Sequence, residues 1–220
     1  KGALLNQGRT WAPSPSHDNN SPRTSREENK IGYTHYWNRP LEIDKVAYAA
    51  IKTDFEKLLP VFAEKGIKLG DAFGRNVPVI NDDQIRFNGL EKCGHPENTD
   101  IVIPWPAQGA RGIGDNQTAI DGGWSAGATL QHRACNGDCS YESFIFDRVE
   151  KAPSYRDLDE DGLNFNFTKT AFRPYDVAVT AFLLIAKHHL KDGIKVSTDG
   201  DFDGWADAIA LCYAHLGYGL

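Results

Sequence analysis

RPYDVAVTAFLLIAKHH, residues 173–189, contains a run from Val177 to Ala186 that is apolar apart from Thr180. Pro174 favours a helix start here, because a proline in the first turn of a helix costs no internal hydrogen bond. A helix that is apolar on almost every side is expected to be buried on almost every side. The segment therefore predicts a central helix, and the rest of the chain is expected to pack around it.

The segments on either side of this helix show regular periods of their own. Residues 194–197 have strand character, and residues 205–216 carry apolar side chains at helical spacing. Residues 31–39, IGYTHYWNR, alternate aromatic and polar side chains as a half-buried strand does. Residues 43–62 carry apolar side chains at three- and four-residue steps, which predicts a helix with a kink or break at Pro60.

Short strands are predicted in the middle of the chain, at residues 77–80, 84–87, 101–103 and 143–149. Several of them follow one another without an intervening helix, which disfavours a doubly wound sheet. The expected fold class is α+β, or else α/β, with a single mixed sheet covered by about three helices.

Two stretches lack any apolar period. Residues 1–30 are rich in Ser, Asn, Pro and Arg, and we expect a flexible N-terminal tail there. Residues 104–142 are dense in glycine and are expected to form a long irregular insertion, a kind of loop that is usually functional or mobile. Residues 31–220 then form a single domain that carries this insertion.

Charge and hydropathy narrow the classes of partner. The chain of 220 residues has a formal charge of −6, which argues against a surface built for extensive phosphate contacts. No apolar stretch approaches the roughly 20 residues needed to span a bilayer, so no membrane partner is expected. The compartment stays open between the cytoplasm and secretion after processing, and the oligomeric state stays open too.

Metal signatures are weak. Neither an HExxH nor a CxxC pair occurs in the chain. Cys135 and Cys139 are separated by three residues, a spacing that favours a small disulfide or two free thiols over half of a zinc site. The acidic loops at 157–162 and 199–204 match the first half of a calcium loop but lack the glutamate required at position twelve. No metal and no cofactor is therefore predicted.

Five motifs resemble those of an uncharacterised family of small proteins from bacteria and phages. They are GYTHYW (32–37), IRFNG (85–89), RPYDVAVTAFLLIAKHH (173–189), STDGDFDGWADA (197–208) and LGYG (216–219). That family has no assigned activity, so the resemblance implies a core that begins near Gly32 rather than a particular chemistry. The chain also resembles the ribosome-inactivating toxins of mushrooms, through no single motif, and this implies action on ribosomal RNA.

The GYTHYW segment concentrates aromatic side chains on one strand. Tyr33, His35 and Trp37 share one face of that strand, and Tyr36 lies on the other. Aromatic rings stack on a planar base or sugar, and a histidine beside them supplies acid–base chemistry. The alternative is that these rings belong to the hydrophobic core, as aromatic strand residues often do.

A hydrolase hypothesis gives these side chains roles. Cleavage of an N-glycosidic bond needs rings around the base, a cation that helps the base to leave, and a carboxylate beside the developing oxocarbenium ion. His35 also suits ribonuclease chemistry. The predicted catalytic residues are Arg86, Asp199, Asp201 and His35, and the predicted substrate-binding residues are Tyr33, Tyr36, Trp37 and Asn88.

Two functions remain in competition. The first is a hydrolase of the N-glycosidase or ribonuclease type, acting on a nucleobase, a nucleotide or ribosomal RNA. The second is a non-catalytic module that binds protein or carbohydrate. An enzyme brings His35, Arg86 and Asp199 within ~10 Å of one another in a cleft, whereas a binding module lets them scatter.

Overall fold

A computed structural model describes residues 33–96, 99–102, 132–152, 154, 157–200 and 202–219. The predicted tail at 1–30 and most of the predicted insertion lie outside these residues. The elements of the described part are β1 (Thr34–Arg39), α1 (Lys45–Glu64), β2 (Leu69–Gly70), β3 (Val79–Ile80), β4 (Gln84–Gly89), β5 (Thr99–Val102), β6 (His132–Cys135), β7 (Phe144–Asp147), β8 (Asn164–Lys169), α2 (Asp176–Leu190), β9 (Lys195–Thr198) and α3 (Ala206–Leu216).

The α+β class is confirmed, and the strands of the described residues fall into three antiparallel groups rather than one mixed sheet. The first sheet has the order β8-β1-β9, with β1 in the centre. The second sheet has the order β2-β4-β3, and β7 also pairs with β4. β5 and β6 pair with each other, so residues 132–135 of the predicted irregular insertion form a strand. The sequence of β6 shows no strand pattern, because its four residues form a strand only through pairing with the distant β5.

The first helix, α1, begins at a side-chain cap and runs through its proline. Asp44 accepts hydrogen bonds from the backbone N–H groups of Val46 and Ala47. Of the kink or break expected at Pro60, the break does not occur, because the helix continues to Glu64. Pro60 lies on the exposed side near the helix end, where the carbonyl that loses its donor can be hydrated instead.

The central helix predicted from the 173–189 segment is confirmed as α2. It begins at Asp176, two residues after Pro174, and ten of its fifteen residues are buried. The ring of Phe182 packs edge-on against Phe55 of α1 and Phe144 of β7. None of the described helices combines the length and the apolarity required to cross a bilayer.

Side chains alternate along β1 between the two faces of the first sheet. Trp37 points inward, where its ring lies 5.1 Å from that of Phe144. Tyr36 and Asn38 point outward and are partly exposed. Arg39, at the end of the strand, is fully buried and donates to the backbone carbonyls of Asp147 and Arg148, which ties the first sheet to the second.

Candidate functional site

The outward face of the first sheet carries three neighbouring aromatic rings. Tyr36 of β1 stands opposite Phe167 of β8, and Asn38 stands opposite Phe165, so their side chains share this face. The rings of Tyr36 and Phe165 are stacked with centroids 5.9 Å apart, and Phe165 lies 6.1 Å from Phe167. Phe167 is 55% exposed. We call Tyr36, Phe165 and Phe167 the aromatic platform.

A carboxylate lies beside this platform. The Tyr36 hydroxyl donates a hydrogen bond of 2.7 Å to Oδ1 of Asp199, the residue after β9. This bond is the largest reason why the pKa of Tyr36 is raised above its ordinary value. The backbone N–H of Asp199 donates to the carbonyl of Thr34, which fixes the carboxylate against the strand. Asp201, its predicted catalytic companion, lies outside the described residues.

The acidic turn at 157–162 is fastened to the same face. Asn38 donates to Asp159 at 2.9 Å, and Lys195 of β9 pairs with Asp159 and Asp161. Hydrogen bonds from the backbone N–H of Leu163, and then from the side chains of Lys195 and Asn38, lower the pKa of Asp159 to about 2. The Asp159 carboxylate therefore serves this turn and its attachment to the sheet.

The inward face of β1 is sealed from solvent. Tyr33, His35 and Trp37 are all buried, and Tyr33 and Trp205 present their ring edges to His35. His35 donates from Nε2 to Oδ1 of Asp176 at 2.7 Å, while its Nδ1 finds no hydrogen-bond partner among the described residues. The sequence left open whether these three rings line a binding site or lie in the core. The structure shows that they are buried in the core.

His35 belongs to a buried polar cluster, which we define as His35, Arg133, Asp176 and Asp207. The guanidinium of Arg133 on β6 bridges the carboxylates of Asp176 on α2 and Asp207 on α3. All four side chains are buried, and Thr170 also donates to Asp176. Burial alone would raise the pKa of Asp176, but the charge and hydrogen bond of His35, then Arg133 and Thr170, hold it below its ordinary value.

Sequence reasoning missed most of this cluster. Asp176 and Asp207 lie inside two quoted motifs, yet nothing local marks them as partners of His35. Arg133 falls in the stretch expected to be irregular, where no strand was predicted. Phe172, which has a positive φ of 55°, places its ring 4.5 Å from the Arg133 guanidinium. This contact depends on the turn between β8 and α2, and the sequence gives no period for it.

Arg86 and Asn88 lie on the second sheet and do not meet the aromatic residues of β1. Arg86 forms a bidentate pair with Asp147 on β7, the neighbouring strand. Asn88 is buried, and its amide bonds to the backbone N–H and carbonyl of Tyr141. Asn88 therefore has a structural role in holding the loop before β7.

The seven predicted site residues that the structure describes thus do not share one cleft. Tyr36 and Asp199 come together on the outward face of the first sheet. Tyr33, His35 and Trp37 are enclosed on its inward face, and Arg86 and Asn88 lie on the second sheet. Side chains alternate along β1, which separates Tyr36 from its neighbours on the inward face. Arg86 and Asn88 are separated from all of these because β4 belongs to another sheet.

Four possible metal ligands converge elsewhere in the fold. They are Cys93, His95, Cys135 and Cys139, whose ligand atoms all lie within 4.8 Å of one another. The three cysteines are buried free thiols. Sequence reasoning considered Cys135 and Cys139 as an isolated pair and missed the Cys-Gly-His segment at 93–95, which lies 40 residues earlier in the chain.

Comparisons with known proteins add no assignment. No protein family, no curated protein and no solved structure matches this chain. The resemblances to the bacterial and phage family and to the mushroom toxins therefore stay predictions, and the functional argument depends on the geometry alone.

Proposed function

We propose that the protein is a hydrolase that acts on a nucleobase held on the aromatic platform, within a nucleotide or single-stranded ribosomal RNA. The observation that carries this proposal is the pairing of an exposed ring stack with a carboxylate. Tyr36 stacks with Phe165 and donates its hydroxyl proton to a hydrogen bond with Asp199. Rings on the open face of an antiparallel sheet are a common surface for unpaired bases.

The chemistry of the proposed reaction is cleavage of an N-glycosidic bond. The base lies on the rings, and the carboxylate of Asp199 faces the sugar, where it stabilises the positive charge that develops as the base leaves. Water then adds to the sugar carbon, and the departing base gains a proton. Tyr36 orients Asp199, because its hydroxyl donates to one carboxylate oxygen and leaves the other free to face the sugar.

A second function is favoured by one specific observation. Arg86, the cation expected to help the base to leave, is paired with Asp147 on another sheet. An enzyme is expected to bring His35, Arg86 and Asp199 into one cleft, but His35 is enclosed, Arg86 lies on the second sheet and Asp199 lies beside the platform. This scatter, together with a platform that lacks the expected cation, fits a non-catalytic module that binds a base or a sugar by stacking. The two functions differ in whether a product is ever released.

Two measurements on fluorescein-labelled oligoadenylate test both functions. They are the binding of the oligonucleotide to the protein and the release of adenine from it. Tyr36→Ala and Phe167→Ala should each weaken binding about 5- to 150-fold, since stacking contributes ~1–3 kcal/mol per base. Phe73→Ala is the matched control, because Phe73 is equally aromatic and 78% exposed but lies outside the platform. Unchanged affinity in both platform variants would contradict the proposal.

Release of adenine, measured by chromatography, then separates the enzyme from the binding module. If the protein is a hydrolase, wild type releases the base and Asp199→Asn binds the oligonucleotide but releases none, because the amide cannot stabilise the positive charge. If wild type binds through the platform and releases no base from oligoadenylate or from ribosomes, the binding module is the correct reading.

A further inference from the structure

The four possible metal ligands form a compact group, which we call the thiol–imidazole cluster: Cys93, His95, Cys135 and Cys139. Sγ of Cys135 lies 3.3 Å from Sγ of Cys93 and 3.2 Å from Sγ of Cys139. Nδ1 of His95 lies 3.4 Å from Sγ of Cys139. These separations exceed the ~2.05 Å of a disulfide bond and are close to the roughly 3.8 Å between sulfurs on one tetrahedral zinc ion.

The backbone turns tightly after two of the cysteines. Gly94 and Gly137 have positive φ values of 70° and 82°, which a glycine adopts without strain. Gly94 follows Cys93 directly, and Gly137 lies between Cys135 and Cys139. These turns let ligands that are close in the chain, Cys93 with His95 and Cys135 with Cys139, approach the same point.

The surroundings of His95 suit a metal ligand as well. Its Nδ1 faces Cys139, and its Nε2 lies beside Gly66. A histidine that binds zinc through one nitrogen usually donates the other to a carbonyl, which fixes the ring. Lys68 donates to the backbone carbonyl of Cys93 at 2.6 Å and so holds this segment in place.

We propose that the thiol–imidazole cluster binds one zinc ion in a closed structural site. Three sulfurs and one imidazole nitrogen form a donor set that zinc prefers, and four protein ligands complete its tetrahedron. No position is left for water or substrate, so the ion stabilises the fold and takes no part in catalysis. A disulfide would use only two of the three cysteines and would leave the histidine without a role.

The site would join segments that are far apart in the chain. Cys93 and His95 follow β4, Cys135 is the last residue of β6, and the backbone N–H of Cys139 already donates to Leu90. Arg133 lies two residues before Cys135 on the same strand. Zinc therefore holds in place the strand that delivers the guanidinium of the buried polar cluster.

Metal analysis of the purified full chain tests the proposal. Wild type should contain one zinc ion per chain after gel filtration, and a mercurial that blocks thiols should release it, as seen with a zinc-sensitive dye. After chelation and denaturation, all four cysteines should react with Ellman's reagent. Absence of zinc together with a loss of two reactive thiols would show a disulfide and overturn the proposal.

Substitutions identify the ligands. Cys93→Ser and Cys135→Ser should lose zinc, whereas Cys212→Ala should keep it, because Cys212 is a buried cysteine of α3 outside the cluster. His95→Cys should restore binding that His95→Ala loses. Zinc content equal to wild type in Cys93→Ser would overturn the assignment.

Cobalt titration of the wild-type chain decides the matter if the serine variants fail to fold. Cobalt in a three-sulfur tetrahedral site gives intense visible bands and a sulfur-to-metal charge-transfer band in the near ultraviolet. Added zinc should abolish these bands at one equivalent. Weak absorption typical of octahedral cobalt would contradict the site.

Discussion

Trp37 and Tyr36 are neighbours on β1 but occupy opposite environments. The ring of Trp37 is enclosed against Phe144, while that of Tyr36 stacks with Phe165 on the open face. Trp37 shares its face of β1 with His35 of the buried polar cluster, whereas the carboxylate of Asp199 lies beside Tyr36. One strand therefore serves stability with one face and presents the candidate binding surface with the other, so substitutions on the two faces should have separable effects.

The largest effect is expected on the inward side, at Arg133. Arg133→Met leaves two buried carboxylates without their shared cation, which should lower the free energy of unfolding by about 3–5 kcal/mol. Arg86→Met is the matched control: it also breaks an ion pair with an aspartate, but Arg86 is about one third exposed and should cost at most about 1 kcal/mol. Urea denaturation followed by circular dichroism measures both. Equal losses would mean that the buried polar cluster is open to solvent.

A steric test of the inward face comes next. A methyl group added at Gly204 would overlap the Tyr33 side chain. Gly204→Ala should therefore cost about 1–3 kcal/mol, as overpacking in a core does. At Gly193 the nearest atom to an added Cβ is 3.8 Å away, so Gly193→Ala should change stability by less than about 0.5 kcal/mol. Thermal melts compare the two, and a stable Gly204→Ala variant would indicate that Tyr33 can move outward.

A carboxylate outside both faces gives a smaller, pH-dependent effect. Burial tends to raise the pKa of Asp54, but hydrogen bonds from Lys57, Tyr218 and His189 lower it to about 2. Since an aspartate in the unfolded chain has a pKa of about 3.9, the ionised group stabilises the fold above about pH 4. That contribution is lost as the pH falls toward 2.

Asp54→Asn should therefore be less stable than wild type near neutral pH by about 1 kcal/mol, the size of a lost hydrogen bond. The difference should shrink as the pH falls below about 4, because the unfolded chain then takes up a proton that the folded protein, with its lowered Asp54 pKa, does not yet bind. Urea denaturation over this pH range provides the measurement. A difference that stays constant down to the lowest pH would show that the Asp54 pKa is not lowered.

The smallest effect is expected on the outward face. Tyr36→Phe removes the hydroxyl that bonds to Asp199 but keeps the ring, so stability should change by less than about 0.5 kcal/mol. Oligonucleotide affinity should also be retained, because the ring still stacks. Trp37→Phe, one residue further along, leaves a cavity in the core and should cost more than about 1 kcal/mol. If the two changes cost the same, the faces of β1 are not functionally distinct.

The parts of the fold that the sequence predicts are those with a local period. α2 follows from an apolar run, and the two faces of β1 follow from its alternation. β8 was not predicted, although NFNFTK also alternates, because its polar residues are asparagines that favour turns. Its two phenylalanines complete the aromatic platform, so half of the candidate site was out of reach.

Clusters assembled from distant segments were not predictable in the same way. Arg133 meets Asp176 and Asp207 from 43 and 74 residues away. Cys93 meets Cys135 across 42 residues. Each residue has an ordinary local context, and only the tertiary fold brings these groups together. Local spacing therefore predicts Cys135 and Cys139 as an isolated pair and Arg86 as a catalytic cation.

The central position of β1 has a consequence for the energetics of ligand binding. The strand is paired on both edges, and a slip of one residue would turn Trp37 to solvent and Tyr36 into the core. The packing of the inward rings thus fixes where the backbone beneath Tyr36 can lie. A ligand that stacks there meets a surface whose main chain is already ordered by folding, so little conformational entropy remains to be lost on association.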